Sequence, residues 1–336
     1  MLATATSIGG VHYRSTIEFF GGEMRALQNR NYRRWIVLCA VGVVVSLVMA
    51  LQIRAQQVAI TIDDLPSHGA LPSGTTRVDV TRAILAALKS AHVPQVYGFV
   101  NAGRLEKNPE DLEVLKMWRE AGQPLGNHTY THMNFNENTP EAFEENIEKN
   151  EPTLKLLMGG ANWHWFRYPY LWEGDTVEKR HVVRSYLANH GYHIAQVTLD
   201  FEDYAWNGPY ARCVEKKDEK AIAWLKESYL HTAREYMDLD RKMARQVFHR
   251  NIKYVLLMHV GAFDALMLPD LLQQMKKQGF RFVTLEKAES DRAYQVDPDA
   301  ALKNGGTLLD QFFDSRHLQY PPHAEKPMKQ LAEICK

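Results

Sequence analysis

Cysteine is scarce, with three in 336 residues. No Cys-x-x-Cys pair occurs, which excludes a structural zinc ribbon and a dense disulfide framework. Cys39 lies in an N-terminal apolar stretch, leaving Cys213 and Cys335, which can pair in an oxidising compartment or stay as separate thiols. An excess of charge is also missing, since basic and acidic side chains number 40 each. The first 56 residues take six of the basic and two of the acidic ones, leaving 34 against 38 and a net charge of about −4. That balance argues against a bulk electrostatic grip on nucleic acid and is easier to reconcile with a neutral or cationic substrate. There is no internal repeat and no low-complexity segment, and 45% hydrophobic content is enough for a large buried core.

One long apolar run is present, over residues 35–53, preceded by Arg25, Arg30, Arg33 and Arg34. A positive region followed by an apolar one marks an export segment within residues 1–56. The run is long for a signal peptide and just long enough to span a bilayer, so a retained signal-anchor is the alternative. A strand expected from about Val58 leaves no linker to a membrane, which favours cleavage and a mature start between residues 51 and 58. The expected location is therefore outside the cytosol, in the periplasm, the cell envelope or the medium, with membrane contact only through an uncleaved anchor.

Beyond residue 56 short apolar runs alternate with longer amphipathic ones, as in repeated βα units. Strands are expected at 58–62, 95–100, near 124–127, and at 163–166, 193–197, 254–258 and 280–285. Helices are expected at 78–91, 109–121 and 140–157. About seven such units predict an α/β fold, a distorted (β/α)7-type barrel. A charged helical insertion over 216–250 and a C-terminal tail over 291–336 read as peripheral additions to a domain spanning 57–290.

Polar residues follow several of these strands, where α/β folds place their sites. Asp63 and Asp64 end the first, and two adjacent carboxylates behind a buried strand are costly unless paired, hydrogen-bonded or bound to metal; a solvated turn is the plain alternative. His128 and His132 are four apart, so on a helical turn both imidazoles would face one cation, although two histidines at this spacing also arise by chance among fourteen. Arg167, Asp203 and His259 complete a set suited to metal-assisted hydrolysis of an acyl group. Taken singly, Arg167 can be an ordinary surface arginine and His259 a core histidine.

The five segments Thr61-Ile62-Asp63-Asp64, His128-Thr129-Tyr130-Thr131-His132, Arg167-Tyr168-Pro169-Tyr170, Asp200-Phe201-Glu202-Asp203 and Leu257-Met258-His259 resemble, in order, the motifs of the NodB-homology polysaccharide deacetylases, carbohydrate esterase family 4. The similarity covers roughly residues 58–285. It implies a distorted barrel and hydrolysis of an N- or O-acetyl group from a carbohydrate polymer or oligosaccharide. It further implies that Asp64, His128 and His132 bind one divalent ion, expected to be zinc, and that Asp63 is the general base. By the same resemblance Arg167 holds Asp63, the backbone N–H of Tyr170 faces the oxyanion, and His259, paired with Asp203, protonates the leaving amine.

The pattern has departures. Leu65 stands where the family has Gly and is followed by Pro66; Tyr204 replaces the Trp after Asp203, and Trp206 two residues on is a candidate pocket wall. His68 and Trp172 are candidates to line the pocket, with an incidental role the favoured reading. The other functions consistent with the sequence are cleavage of another amide, including a cyclic one, and a non-catalytic glycan-binding envelope protein. The five intact residues Asp63, Asp64, His128, His132 and His259 argue against the last.

Overall fold

A computed structural model describes residues 56–336; the export segment expected over 35–53 lies outside them. Among the described residues no helix is long and apolar enough to cross a membrane.

The fold is organised around β1 (Gln56–Leu65), whose Val, Ile and Thr residues suit a strand covered on both faces. It pairs in parallel with β2 (Tyr97–Val100) on one side and β6 (Tyr254–His259) on the other. Beyond β2 follow β3 (Leu125–Asn127), β4 (Trp165–Phe166) and β5 (His193–Ile194), all parallel. The last strand, β7 (Phe280–Phe282), pairs only with the first residues of β1. After β5 the chain runs on irregularly until Leu199 bridges Leu256 of β6, where Leu257 N–H donates to the Leu199 carbonyl at 3.1 Å. This bridge draws the two edges together, which makes the architecture the expected distorted α/β barrel.

Alternation along β1 separates two environments. Val58, Ile60 and Ile62 face the main core under the helices. Ala59 belongs to a smaller interior cluster with Tyr97, Phe99, Trp165 and Val255. Asp63 shares the parity of Ala59 and Thr61, so it lies at the end of that interior row.

The outer helices have sequence-encoded starts. Helix α1 (Arg77–Ser90) opens on a capping box between Thr76 and Asp79. It is followed by α2 (Leu112–Glu120), α3 (Pro140–Met158), capped by Thr139, and α4 (Val177–Asn189), capped by Thr176. After α5 (Asn207–Glu215), the expected insertion is the 30-residue α6 (Glu219–Phe248), followed after β6 by α7 (Ala262–Lys277) and after β7 by α8 (Leu285–Glu289).

Neither the insertion nor the tail is peripheral, contrary to the reading of their composition. Leu225, Tyr229, Ala233, Met237, Met243 and Val247 form a buried stripe on α6. Helix α9 (Leu308–Ser315) buries Phe312 and Phe313, and Leu308 N–H donates to the Val197 carbonyl at 2.8 Å. After α10 (Met328–Glu333) the chain is tied back by a Cys213–Cys335 disulfide.

Candidate active site

The carboxyl ends of β1, β3, β4 and β6 converge on one cavity of about 1200 Å³. Asp63 and Asp64 still belong to β1, and Asp63 is in register with His259. Asp64 has φ +68° and precedes a cis Leu65-Pro66 bond. Leu65 is fully buried, so the departure at this position feeds the core instead of opening a loop.

His128 and His132 converge without the expected helical turn. The segment after β3 is irregular, with Thr129 at φ +61° and His132 at φ +58°, a backbone region costly for non-glycine residues. Buried amides hold it there. Asn101 donates to the His128 and Thr129 carbonyls, and Asn127 Oδ1 accepts from Thr129 N–H at 2.9 Å and from Asn150 at 2.9 Å. His128 Nδ1 donates to the Arg167 carbonyl at 2.7 Å, which leaves the Nε2 lone pair free.

Ligand atoms of Asp64, His128 and His132 lie within 4.8 Å of one another. Asp64 Oδ1 is 3.4 Å from His132 Nε2 and 3.7 Å from His128 Nε2. It is buried and makes no well-directed hydrogen bond, although Arg104 approaches it at 3.2 Å. Two imidazole nitrogens and one carboxylate oxygen aimed at one point fit a divalent cation. Burial drives His128 well below the usual imidazole range and His132 down to about 4, so both are neutral donors at pH 7. Burial favours the neutral form of Asp64, but the His68 hydrogen bond, helped by the charge of Arg104, prevails and holds it well below the usual carboxylate range.

Asp63 is held differently. Arg167, fully buried, reaches both of its oxygens at 3.2 Å, donates to Thr61 Oγ1 at 3.1 Å and anchors through Nε on the Ala195 carbonyl at 2.7 Å. Burial raises Asp63 to about 6 against the opposing charges of Arg167 and His259. On the neighbouring strand β6, His259 Nδ1 meets Asp203 Oδ1 at 2.7 Å, and Asp203 Oδ2 accepts the His259 backbone N–H at 2.7 Å. Burial would lower this imidazole, but the Asp203 charge and hydrogen bond overcome it and raise His259 to about 10.

Tyr170 sits in a short 3₁₀ turn with φ +60°, and its half-exposed ring packs against His132 at 4.3 Å and Trp172 at 4.9 Å.

Several side chains differ from the sequence reading. His68 is not incidental: its Nδ1 lies 2.6 Å from Asp64 Oδ2. Trp172 also lines the cavity. Trp206 does not; it is fully buried and bonds Ser228 at 2.9 Å, while Tyr204 takes the wall position beside His259. Arg104, Asn101 and Asn150 carried no sequence signal, because each comes from a segment remote from the residues it serves, Asp64 for Arg104 and the His128 segment for the two asparagines.

Residues 52–195 match the polysaccharide deacetylase family. That segment of the chain is similar to the family. The matched segment contains Asp63, Asp64, His128, His132, Arg167 and Tyr170 but stops before Asp203 and His259, which the fold brings to the same cavity. A chitin deacetylase of Arthroderma benhamiae is 27% identical over 106 residues, 32% of this chain and 27% of that protein. A peptidoglycan-N-acetylglucosamine deacetylase of Bacillus cereus is 28% identical over 152 residues, 45% of this chain and 47% of that protein. The chain thus spans less than half the length of each of these relatives. Among solved structures, a carbohydrate esterase family 4 pseudoenzyme from Bacillus anthracis is 17% identical with a TM-score of 0.48, covering 70% of this chain and 66% of that one.

Proposed function

We propose that this chain is a metal-dependent hydrolase that removes acetyl groups from an N-acetylated glycan or oligosaccharide. The observation that carries the reading is an Asp-His-His cation site that shares one cavity with a buried carboxylate, Asp63, and a carboxylate-paired imidazole, His259. Asp64, His128 and His132 would hold the ion, and zinc suits a site with two neutral imidazoles and one carboxylate. Bound there, the ion would supply Lewis-acid polarisation of the acetyl carbonyl.

The chain's own groups divide the remaining work. Asp63, oriented by Arg167, accepts a proton from the attacking water. The Tyr170 N–H, in a turn whose first amides lack intrahelical acceptors, donates to the developing oxyanion. His259, charged at pH 7 through Asp203, gives its proton to the leaving amine nitrogen.

Action outside the cytosol is part of the proposal. It is supported by the arginine-led apolar run over 35–53 and by the Cys213–Cys335 pair, which suits an oxidising compartment. Acetate release from N-acetylglucosamine oligomers, with and without chelator and zinc, tests the activity. Release that is indifferent to chelation, or none from any acetylated glycan after metal loading, would overturn it.

A further inference from the structure

The cavity extends away from the Asp-His-His cluster into a lobe formed by α6, the loop after β5 and the C-terminal segment. Its wall carries Asp200, Glu202, Asp240, Asp310 and Asp314 against only Lys303 and Lys326.

Most of these charges are already engaged. Lys326 Nζ bonds Glu202 at 2.8 Å, and Asp310 caps α9 through Thr307 while accepting from Tyr320 at 3.0 Å. Asp240 is the exception. It is 5% exposed, it lines the cavity, and its Oδ2 has no hydrogen-bond partner. Asp200 beside it keeps one oxygen for the Glu202 N–H at 2.8 Å. Burial raises Asp240 well above the usual carboxylate range, the charges of Asp310 and Asp200 add to the effect, and a contact with the Asp200 backbone N–H and the charge of Lys326 offset only part of it. Burial likewise raises Asp200, against the opposing charge of Lys326. An unpaired carboxylate oxygen in a low-dielectric wall is costly unless a donor, best a cationic one, arrives with the ligand.

We propose that Asp240 and Asp200 form a subsite for a protonated primary amine of the substrate, so that a glycan with an acetylated unit at the Asp-His-His cluster and a free amino sugar beside it is the preferred ligand. This rests on the deacetylase reading, and that reaction itself produces such a ligand. Cleavage of the amide C–N bond by water yields acetate and an amine, which is protonated near neutral pH, so a partly processed chain carries ammonium groups beside remaining acetamido groups. The cavity, at about 1200 Å³, exceeds the usual volume of ligand sites, about 300–1,000 Å³, and accommodates more than one sugar ring.

The test is calorimetric binding to the zinc-loaded full chain at pH 6. The probes are the glucosamine trimer, which has no acetyl group to lose, the N-acetylglucosamine trimer, and calcium. Wild type should bind the amine trimer, and Asp240→Asn should weaken that binding about tenfold while changing the acetylated trimer less than twofold, the loss expected for one charge-assisted hydrogen bond. Asp200→Asn should act in the same direction, which keeps the test open if the first variant folds poorly. Equal losses for both trimers, no binding of the amine trimer, or calcium displacing it through the same residues would overturn the proposal. Acetate release measured in parallel separates the two ideas: release without amine-trimer binding removes the subsite alone, and binding without release removes the deacetylase reading alone.

Discussion

Arg167 presents one guanidinium nitrogen to both carboxylate oxygens of Asp63, at 3.2 Å each, with neither side chain more than 3% exposed. The pair joins the carboxyl end of β1 to that of β4 and fixes the acid at the bottom of the cavity. A buried charge pair of this kind contributes little net stability, but breaking it leaves an uncompensated charge. Its value therefore lies in orientation, with Ala195 and Thr61 holding the guanidinium so that Asp63 has one position.

Asp63→Asn separates this role from metal binding. The amide keeps the shape but cannot accept a proton, so turnover should fall by about a hundred- to ten-thousandfold, while zinc content stays near that of wild type. Removing the charge opposite Arg167 should also lower the unfolding midpoint. Metal analysis, acetate release and a thermal melt on one preparation check all three. Loss of zinc together with activity would exchange the roles of Asp63 and Asp64.

His128→Ala and His132→Ala should each lose bound zinc and activity together, because the two remaining ligands seldom hold a catalytic ion. His128→Ala should be the more damaging to the fold, since it also vacates a fully enclosed site and leaves the Arg167 carbonyl without its donor. Full metal occupancy in either purified variant would remove that histidine from the site.

The parts legible in the sequence are those carried by local pattern. The apolar run ending in Asp63-Asp64 announces a buried strand with a polar end, and Tyr254 to His259 repeats the signal; both gave the strand and the site residue at once. The approach of His128 to His132 was right for a different reason from the one expected, because three buried asparagines, not a helical turn, fold that segment. Trp206 and Trp172 exchanged roles, since residue type alone does not tell which side of a turn faces the cavity. His68 reaches Asp64 from a loop and Arg104 from a short 3₁₀ turn, where periodicity is silent. The tail was the largest loss: its contacts lie with α6 and Cys213, about a hundred residues upstream, and long-range packing of this kind leaves no trace in local composition.

Reducing the Cys213–Cys335 bond should test how far that tail supports the cavity. The bond closes a loop with a sequence separation of 122 residues, so Cys335→Ser should cost about 2–5 kcal/mol by the usual range for such a cross-link. The C-terminal segment supplies part of the cavity wall, including Lys303 and Lys326, so glycan affinity should fall with stability, while zinc content should not. Urea unfolding with and without reductant gives the first quantity and calorimetry the second. An unchanged midpoint in reductant would mean that packing of Phe312, Phe313 and Leu331 holds the tail without the bond.

His259 and Asp203 give the prediction with a definite sign. The imidazole is raised to about 10 because the Asp203 charge and hydrogen bond outweigh burial, so the charged form persists through neutral pH and can act as the acid. The rate should then fall on the alkaline side as His259 loses its proton. Asp203→Asn withdraws the charge, burial then dominates, and the alkaline limb should move to lower pH. Stability follows the same linkage. A folded value above the unfolded one of about 6.5 stabilises fully below 6.5, and the contribution is lost as pH rises towards 10. In Asp203→Asn that loss should shift to lower pH or vanish. The measurement is a pair of pH profiles, of rate and of unfolding midpoint, for wild type and Asp203→Asn at equal zinc content, because lost metal would depress rates at every pH. Asp203 also accepts the His259 backbone N–H, so a purely structural defect should lower the midpoint evenly across pH and leave the alkaline limb in place. That outcome, with His259→Ala still active, would assign the proton to another donor.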